Sequence, residues 1–357
     1  MGILVSLLGG YKMTETEKII LSLRSQLTGD LTKDMLFLQK EAENYAGKEN
    51  GDEIANAIME LAVSLLPKEH LEFMKKTIYV GERRLDVVYR EAAHLMKNHM
   101  NAKSLELTTQ LYNKVCEAFA ETPDTRFFSF RNLLESNLYY VMYHPTKRLE
   151  KAPFDFVRFL MAHAYNLIEL RRPAEAIPVL EEAIRFNPVN PDPRFELAEA
   201  YKVMKEPEKL LAVIRETLPI CASPYALARC YANLGYYCVE KKDYDRALCF
   251  YFESLVYADH PAMRAELRHL AKLKGEELKP PTRKEVLQAF ADLELPNGAD
   301  PNVLAVASAL AEQAMDRSAW KEAAFYLRVF RDLTHDEEAG KLLEQCEEEI
   351  KKAEETE

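Results

Sequence analysis

The feature that most constrains this 357-residue chain is a recurrence of small and large apolar residues at intervals of about 34 positions. Leu160, Ala164 and Leu167 are followed by Ala176, Leu180, Ala183 and Pro188. Thirty-four residues on, Leu197, Ala198 and Tyr201 fall into a matching helical phase, with Leu210 and Ile214 after them. A further 37 residues bring Tyr231, Leu234, Gly235 and Cys238, then Ala247, Tyr251 and Ser254, closed by Pro261. The set returns at Ala307, Leu310, Ala311 and Ala314, then Ala323, Leu327 and Phe330. Such spacing describes helix pairs stacked on one another, because a pair cannot bury its apolar face alone. Small residues at 164, 198 and 235 let the second helix of each pair approach, and Ala176, Ala183 and Ala247 face them. Leu180, Tyr251 and Leu327 then fill the space between repeats. Glycine inside a helix costs about 1 kcal/mol relative to alanine. Gly235 is therefore expected to be required by close packing, against Ala247.

The pattern resembles the tetratricopeptide repeat, a helix–turn–helix unit of 34 residues. The best copy is Tyr231-Ala-Asn-Leu234-Gly235-Tyr-Tyr-Cys238 followed by Asp243-Tyr-Asp-Arg-Ala247-Leu-Cys-Phe-Tyr251. The likeness covers 153–261 well and 300–335 less closely. The second unit departs from it at Thr217 and Ala222, and 262–300 lacks it. The resemblance implies an all-α fold, a right-handed superhelical α-solenoid of such repeats preceded by an N-terminal helical region. It also implies a concave groove lined by the first helix of each pair, which holds a peptide segment or a partner's helix. Carried over position by position, that stripe is Arg158, Met161, Tyr165 and Ile168, then Asp192, Phe195, Glu199 and Lys202, then Arg229, Ala232, Tyr236 and Val239. Its mixture of aromatics, Met and both charge signs suits an apolar partner segment that carries charged residues. Glu181 and Arg185 are expected on the opposite, convex side. A groove filled by the protein's own N-terminal helices is the competing arrangement.

Helical periodicity continues outside the repeats. Thr14, with Glu17 three residues on, forms a capping box before Ile19, Ile20, Leu23 and Leu27. Asp30 or Thr32 opens the next helix, and Gly51-Asp52 a third that Pro67 stops. Apolar runs follow over about 83–99, 102–120 and 126–143, the last rich in aromatics expected to pack in a core. An alternating strand pattern is faintly present only at 77–80. The 13–143 region reads as diverged repeats or as a separate bundle, 153–275 as repeats, 282–335 as a further repeat, and 336–357 as an acidic helix. That last helix either caps the exposed end of the array or docks a basic partner. Connections at His144–Pro153 and Lys279–Thr282 look like hinges.

Composition excludes several classes. Gly and Pro number 11 and 17, too few for collagen-like or low-complexity chains. The formal charge of −11 is concentrated in 336–357, where ten acids meet three lysines, so the body is nearly neutral and nucleic acid is not an expected partner. Six cysteines without paired spacing point to free thiols in a reducing cytoplasm. No run approaches the ~20 apolar residues of a membrane span. The apolar residues 1–12 are too short for a secretory signal. Gly9-Gly10-Tyr11-Lys12-Met13 can be encoded as a purine-rich ribosome-binding site ahead of a start codon. Met13 is therefore expected to be the natural start, residues 1–12 leader, and the source bacterial.

Catalytic patterns are missing: there is no GxxxxGK[ST], GxGxxG after a strand, GxSxG or HExxH. His163 sits among Met161, Ala164 and Leu167, as a packing histidine does. Only Glu91–His94 gives half of a Glu-x-x-His di-iron pattern. The expected protein is a non-enzymatic interaction scaffold with a protein or peptide partner and no metal or cofactor. The alternatives are a cytoplasmic peptide-sensing regulator and a helical-repeat RNA binder.

Overall fold

The computed structural model describes residues 13–45, 47–48, 50–259 and 261–355. The leader expectation for residues 1–12 thus lies outside the described residues. The chain divides into two compact units, Met1–Glu82 and Arg83–Glu357. The boundary falls within the 13–143 stretch that the sequence leaves undivided.

The first unit contains α1 (Glu15–Ser25), α2 (Leu31–Asn44), α3 (Gly51–Ser64), α4 (Lys68–Ile78) and a two-residue strand β1 (Tyr79–Val80). Thr14 and Glu17 form the expected capping box on α1, and the Asp30 side chain caps α2 through the N–H groups of Thr32 and Lys33. Leu23, Leu38, Ile54, Ile58 and Leu61 meet in its core.

The second unit opens with β2 (Arg83–Arg84), α5 (Leu85–Lys97) and α6 (Asn101–Ala118). A mixed segment follows: β3 (Thr125–Phe128), α7 (Leu133–Tyr143) and β4 (Arg148–Lys151). Then come α8 (Phe156–Glu169), α9 (Pro173–Phe186), α10 (Pro191–Val203), α11 (Pro207–Thr217), a 3₁₀ turn (Leu218–Ile220), α12 (Pro224–Glu240) and α13 (Tyr244–Tyr257). The unit closes with α14 (Pro261–Lys274), α15 (Arg283–Asp292), α16 (Pro301–Asp316), α17 (Trp320–Thr334) and α18 (Glu337–Glu354). Consecutive helices pack as neighbouring pairs, α5 on α6, α8 on α9, α10 on α11, α12 on α13 and α16 on α17. The fold is a helical-repeat solenoid.

One turn recurs inside these pairs. The N–H of Met100, Arg172, Glu206, Asp243 and Ala319 donates to the carbonyl of Leu95, Leu167, Tyr201, Cys238 and Ala314 respectively, five residues back. The residue before each donor, His99, Arg171, Lys205, Lys242 or Ser318, has φ between 56° and 63°. This six-to-one bond with a left-handed residue is a helix C-terminal stop that satisfies two orphan carbonyls. The same turn joins α5 to α6 and also ends α15, where Leu295 donates to the Phe290 carbonyl after Glu294 at φ 53°, so it marks helix ends in general. The 37-residue spacing has a local cause. Thr217 is buried, its hydroxyl donates to the Val213 carbonyl, and a three-residue 3₁₀ turn follows before α12 begins. Proline occupies the first turn of α9, α10, α11, α12 and α16, where its missing N–H costs nothing.

The small-residue positions are buried as expected: Ala164, Ala176, Ala183, Ala198 and Ala247 are all at most 1% exposed. The neighbour of Gly235 differs from expectation. A Cβ built there comes 2.3 Å from Cε1 and 2.4 Å from Cδ1 of Tyr251, so the ring of Tyr251 is the first obstacle, ahead of Ala247. Two further expectations need correction. The 126–143 run is a strand and a helix rather than one helix. The His144–Pro153 connection, which reads in sequence as a hinge, contains β4, and β4 pairs in parallel with β3, with Thr125 opposite Arg148 and Phe128 opposite Lys151. The 262–300 stretch, which lacks the repeat pattern, holds most of α14 and all of α15.

Candidate functional site

The carried-over stripe lies on α8, α10 and α12, the first helices of three successive pairs. Intervals of three and four residues keep its members on one side of each helix. On α8, Arg158 and Tyr165 are exposed, Tyr165 at 41%, while Met161 and Ile168 are half-buried. The Arg158 guanidinium lies 5.4 Å above the ring of Tyr89 on α5, and that ring stacks on Phe159 at 4.9 Å.

The α10 and α12 parts of the stripe interlock. Arg229 covers the Phe195 ring at 4.3 Å and reaches the Glu196 carboxylate at 3.6 Å. Burial pushes the Glu196 carboxyl upward against the opposing pull of Arg229. Lys202 donates to Glu199 at 2.8 Å and places its ammonium 5.2 Å from the Tyr236 ring. Lys205 reaches the Tyr236 hydroxyl at 3.2 Å and Glu240 at 3.1 Å. Tyr236 is thus flanked by two ammonium groups on a partly desolvated face, a favourable cation–ring arrangement. Asp192 points to Arg131, 3.1 Å away.

One member is misplaced by the sequence reading. Phe195 is only 1% exposed, because the Arg229 guanidinium and the surrounding helices cover it. It supports Arg229 and offers no surface itself. Arg185, expected on the outer face with exposed Glu181, is also half-buried. It donates to the Phe119 carbonyl and to Glu182, and its guanidinium lies 4.1 Å from the Phe186 ring.

A separate cleft of about 360 Å³ opens between α7, the starts of α10 and α12, and α17. Leu134, Leu138, Ile220, Ala226 and Val329 line it, with Arg131, Glu135, Arg328 and Asp332 as its charged residues. None of the stripe residues contributes. No sequence window contains this cleft, because its walls come from four separate segments.

A buried polar layer joins α5, α6 and α8. Ser104 donates to the Ala92 carbonyl at 2.9 Å, and Asn166 donates to Ser104 at 2.9 Å and to Thr108 at 3.3 Å. Thr108 lies 3.1 Å from Nδ1 of His163, whose ring stacks on Tyr112. Burial, aided by Arg172, lowers the His163 imidazole to about 4, so it is a neutral packing group. Among the described residues no three His, Cys, Asp or Glu side chains gather as metal ligands, and no helix is long and apolar enough to cross a membrane. The six cysteines are unpaired thiols.

The sequence matches no family model and no curated protein. Among solved structures, the chain is similar to the APC/C hetero-tetramer Cut9–Hcn1 at 15% identity and a TM-score of 0.31. That match covers 92% of this chain, which spans 58% of the length of that one. A second similar structure is that of a protein from Bacteroides ovatus, at 13% identity and a TM-score of 0.23, covering 76% of this chain and 99% of that one.

Proposed function

We propose that this chain is a non-enzymatic adaptor whose first-helix stripe holds a polypeptide segment of a partner protein. The supporting observation is the continuity of the stripe between repeats. Arg229 and Lys202 each bridge α10 and α12, joining Phe195, Arg229, Lys202 and Tyr236 in one aromatic and cationic surface, and Tyr165 is exposed on the preceding first helix. Charges on that surface are largely compensated by neighbours, so the fitting ligand is an apolar segment with a few charged residues.

A photo-crosslinking residue at position 165 or 236, read out in the native host by mass spectrometry, identifies the segment. The triple change of Tyr165, Arg229 and Tyr236 to alanine then weakens its binding at least tenfold, since truncating an anchor costs about 2 kcal/mol and 1.4 kcal/mol is a factor of ten. Exposed Glu181 and Glu216, changed to alanine, leave binding unchanged; Arg185 is unsuitable as a control. A large loss of melting temperature in the triple variant would assign these residues to the core. Unchanged binding with unchanged stability would place the partner elsewhere.

A further inference from the structure

The outward face of α14 carries Arg264, Ala265, Arg268, His269, Lys272 and Leu273, all exposed. It contains no acid. The only carboxylate of the helix, Glu266, is half-buried and accepts the Tyr251 hydroxyl at 3.3 Å. Arg264 is ion-paired with Asp259, but among the described residues neither Arg268 nor Lys272 forms an ion pair. Arg264, Arg268 and Lys272 succeed one another every four residues, one helical turn or about 6 Å apart. This basic face stands out on a chain with a net charge of −11.

The complementary surface is on α18. Its exposed residues include Glu337, Glu338, Glu344 and Glu348, with Lys341 and Lys352 a turn to either side of the Glu344–Glu348 pair, while Leu343 and Cys346 turn inward to the core of α16 and α17. Glu344 and Glu348 are again one turn apart, matching the step from Arg268 to Lys272. Leu273, 41% exposed beside Lys272, adds an apolar contact to the basic side.

We propose that the basic face of α14 binds the acidic face of α18 of a second copy of the chain. Each copy carries both halves, so the contact is either reciprocal in a closed dimer or head-to-tail in a longer assembly. Exposed ion pairs are individually weak and are screened over about 8 Å at physiological salt. The association is accordingly salt-sensitive and builds up with protein concentration.

Sedimentation velocity on the full chain tests this at 20 mM and 500 mM salt over a range of protein concentrations. At low salt the average mass rises with concentration above the 41.1 kDa monomer, and at high salt it returns to it. R268E/K272E and E344K/E348K each weaken self-association at least tenfold. Mixing the two variants restores it, because each retains one native face and the reversed faces are also complementary. Unchanged thermal melts show that the variants are folded, and E344Q/E348Q gives the same direction if the double lysine variant does not fold. A wild type that is monomeric at low salt, an assembly insensitive to both pairs, or a mixture that fails to associate overturns the proposal. A monomer that instead captures a free acidic peptide would also overturn it and would assign α14 to a different protein partner.

Discussion

Gly235 is the position where the packing argument meets its sharpest test. In the helix interior, alanine is intrinsically better than glycine by about 1 kcal/mol. At Gly235 the added methyl would sit 2.3 Å from the ring of Tyr251, far inside van der Waals contact. The ring is fully buried, and its hydroxyl is tied to Glu266, so it has little freedom to withdraw. Overpacking of this kind costs about 1–3 kcal/mol and outweighs the gain in propensity. Gly235→Ala should therefore destabilise by roughly 1–2 kcal/mol, and Gly235→Leu by more. The decisive measurement is a double-mutant cycle by urea unfolding followed by circular dichroism. In a Tyr251→Leu background, the shorter and more flexible side chain admits the methyl. Gly235→Ala there becomes neutral or stabilises by up to about 1 kcal/mol, a coupling of about 1–3 kcal/mol. Gly235→Ala that stabilises the parent protein, or that costs the same in both backgrounds, would refute close packing as the reason for the glycine.

The His163 imidazole titrates near 4 when folded against an ordinary 6.5, so the unfolded chain binds the extra proton. Its stability contribution is whole above pH 6.5 and falls as pH drops towards 4, by about 2 kcal/mol at pH 5. His163→Gln should lose that part of the acid sensitivity, and parallel pH–stability profiles of the two proteins would sink the idea. Glu135 is 6% exposed and accepts hydrogen bonds from the Arg131 N–H and Nε and, at 2.8 Å, from Asn187. Glu135→Ala strands a buried amide and should cost about 2–3 kcal/mol by chemical denaturation; a loss under 0.5 kcal/mol would show the network to be dispensable. Leu134 on α7 packs in the core of α16–α18, so Leu134→Ala should cost about 2–5 kcal/mol. The loss should appear in the fluorescence-monitored unfolding of Trp320, the single tryptophan, which lies against that core. An unchanged Trp320 transition would argue that α7 and the C-terminal helices unfold separately.

Legibility in the sequence followed how strictly chemistry dictates each position. Close helix approach demands Ala or Gly, so Ala164, Ala198, Gly235 and Ala247 announce the repeats between 153 and 261. The turns inside the pairs were invisible for the opposite reason. His99, Arg171, Lys205, Lys242 and Ser318 adopt a left-handed conformation that glycine usually marks, and none of them is glycine. Four-residue strands such as β3 and β4 are too short for an alternation to register, and Phe127 and Phe128 read equally well as a helical stripe. Helices α14 and α15 lack the small-residue set because neither packs as a partner in a regular pair. For the candidate site, periodicity groups Tyr165, Arg229 and Tyr236 as one stripe, of which Tyr165 is exposed and the other two are half-buried. The same periodicity could not foresee that Arg229 would lie across Phe195 and bury it.

The segment between α6 and α8 explains how an imperfect array holds together. A regular solenoid buries each repeat against its sequence neighbours. Here α14 and α15 break the register, so α16 and α17 lack a regular pair on their N-terminal side. The inserted α7 supplies the missing surface through Leu134, which joins Val306, Ala307, Leu310 and Leu327 in one core. The insertion is itself anchored to the regular repeats. Ser129 donates its N–H to the Phe186 carbonyl, and Asn187 bridges Ser129 and Glu135. The C-terminal helices are thereby tied to the α8–α9 pair, more than a hundred residues away in sequence, as well as to their chain neighbours. Stability in this unit is consequently not a sum of nearest-neighbour terms, because a loop insertion carries one of its interfaces.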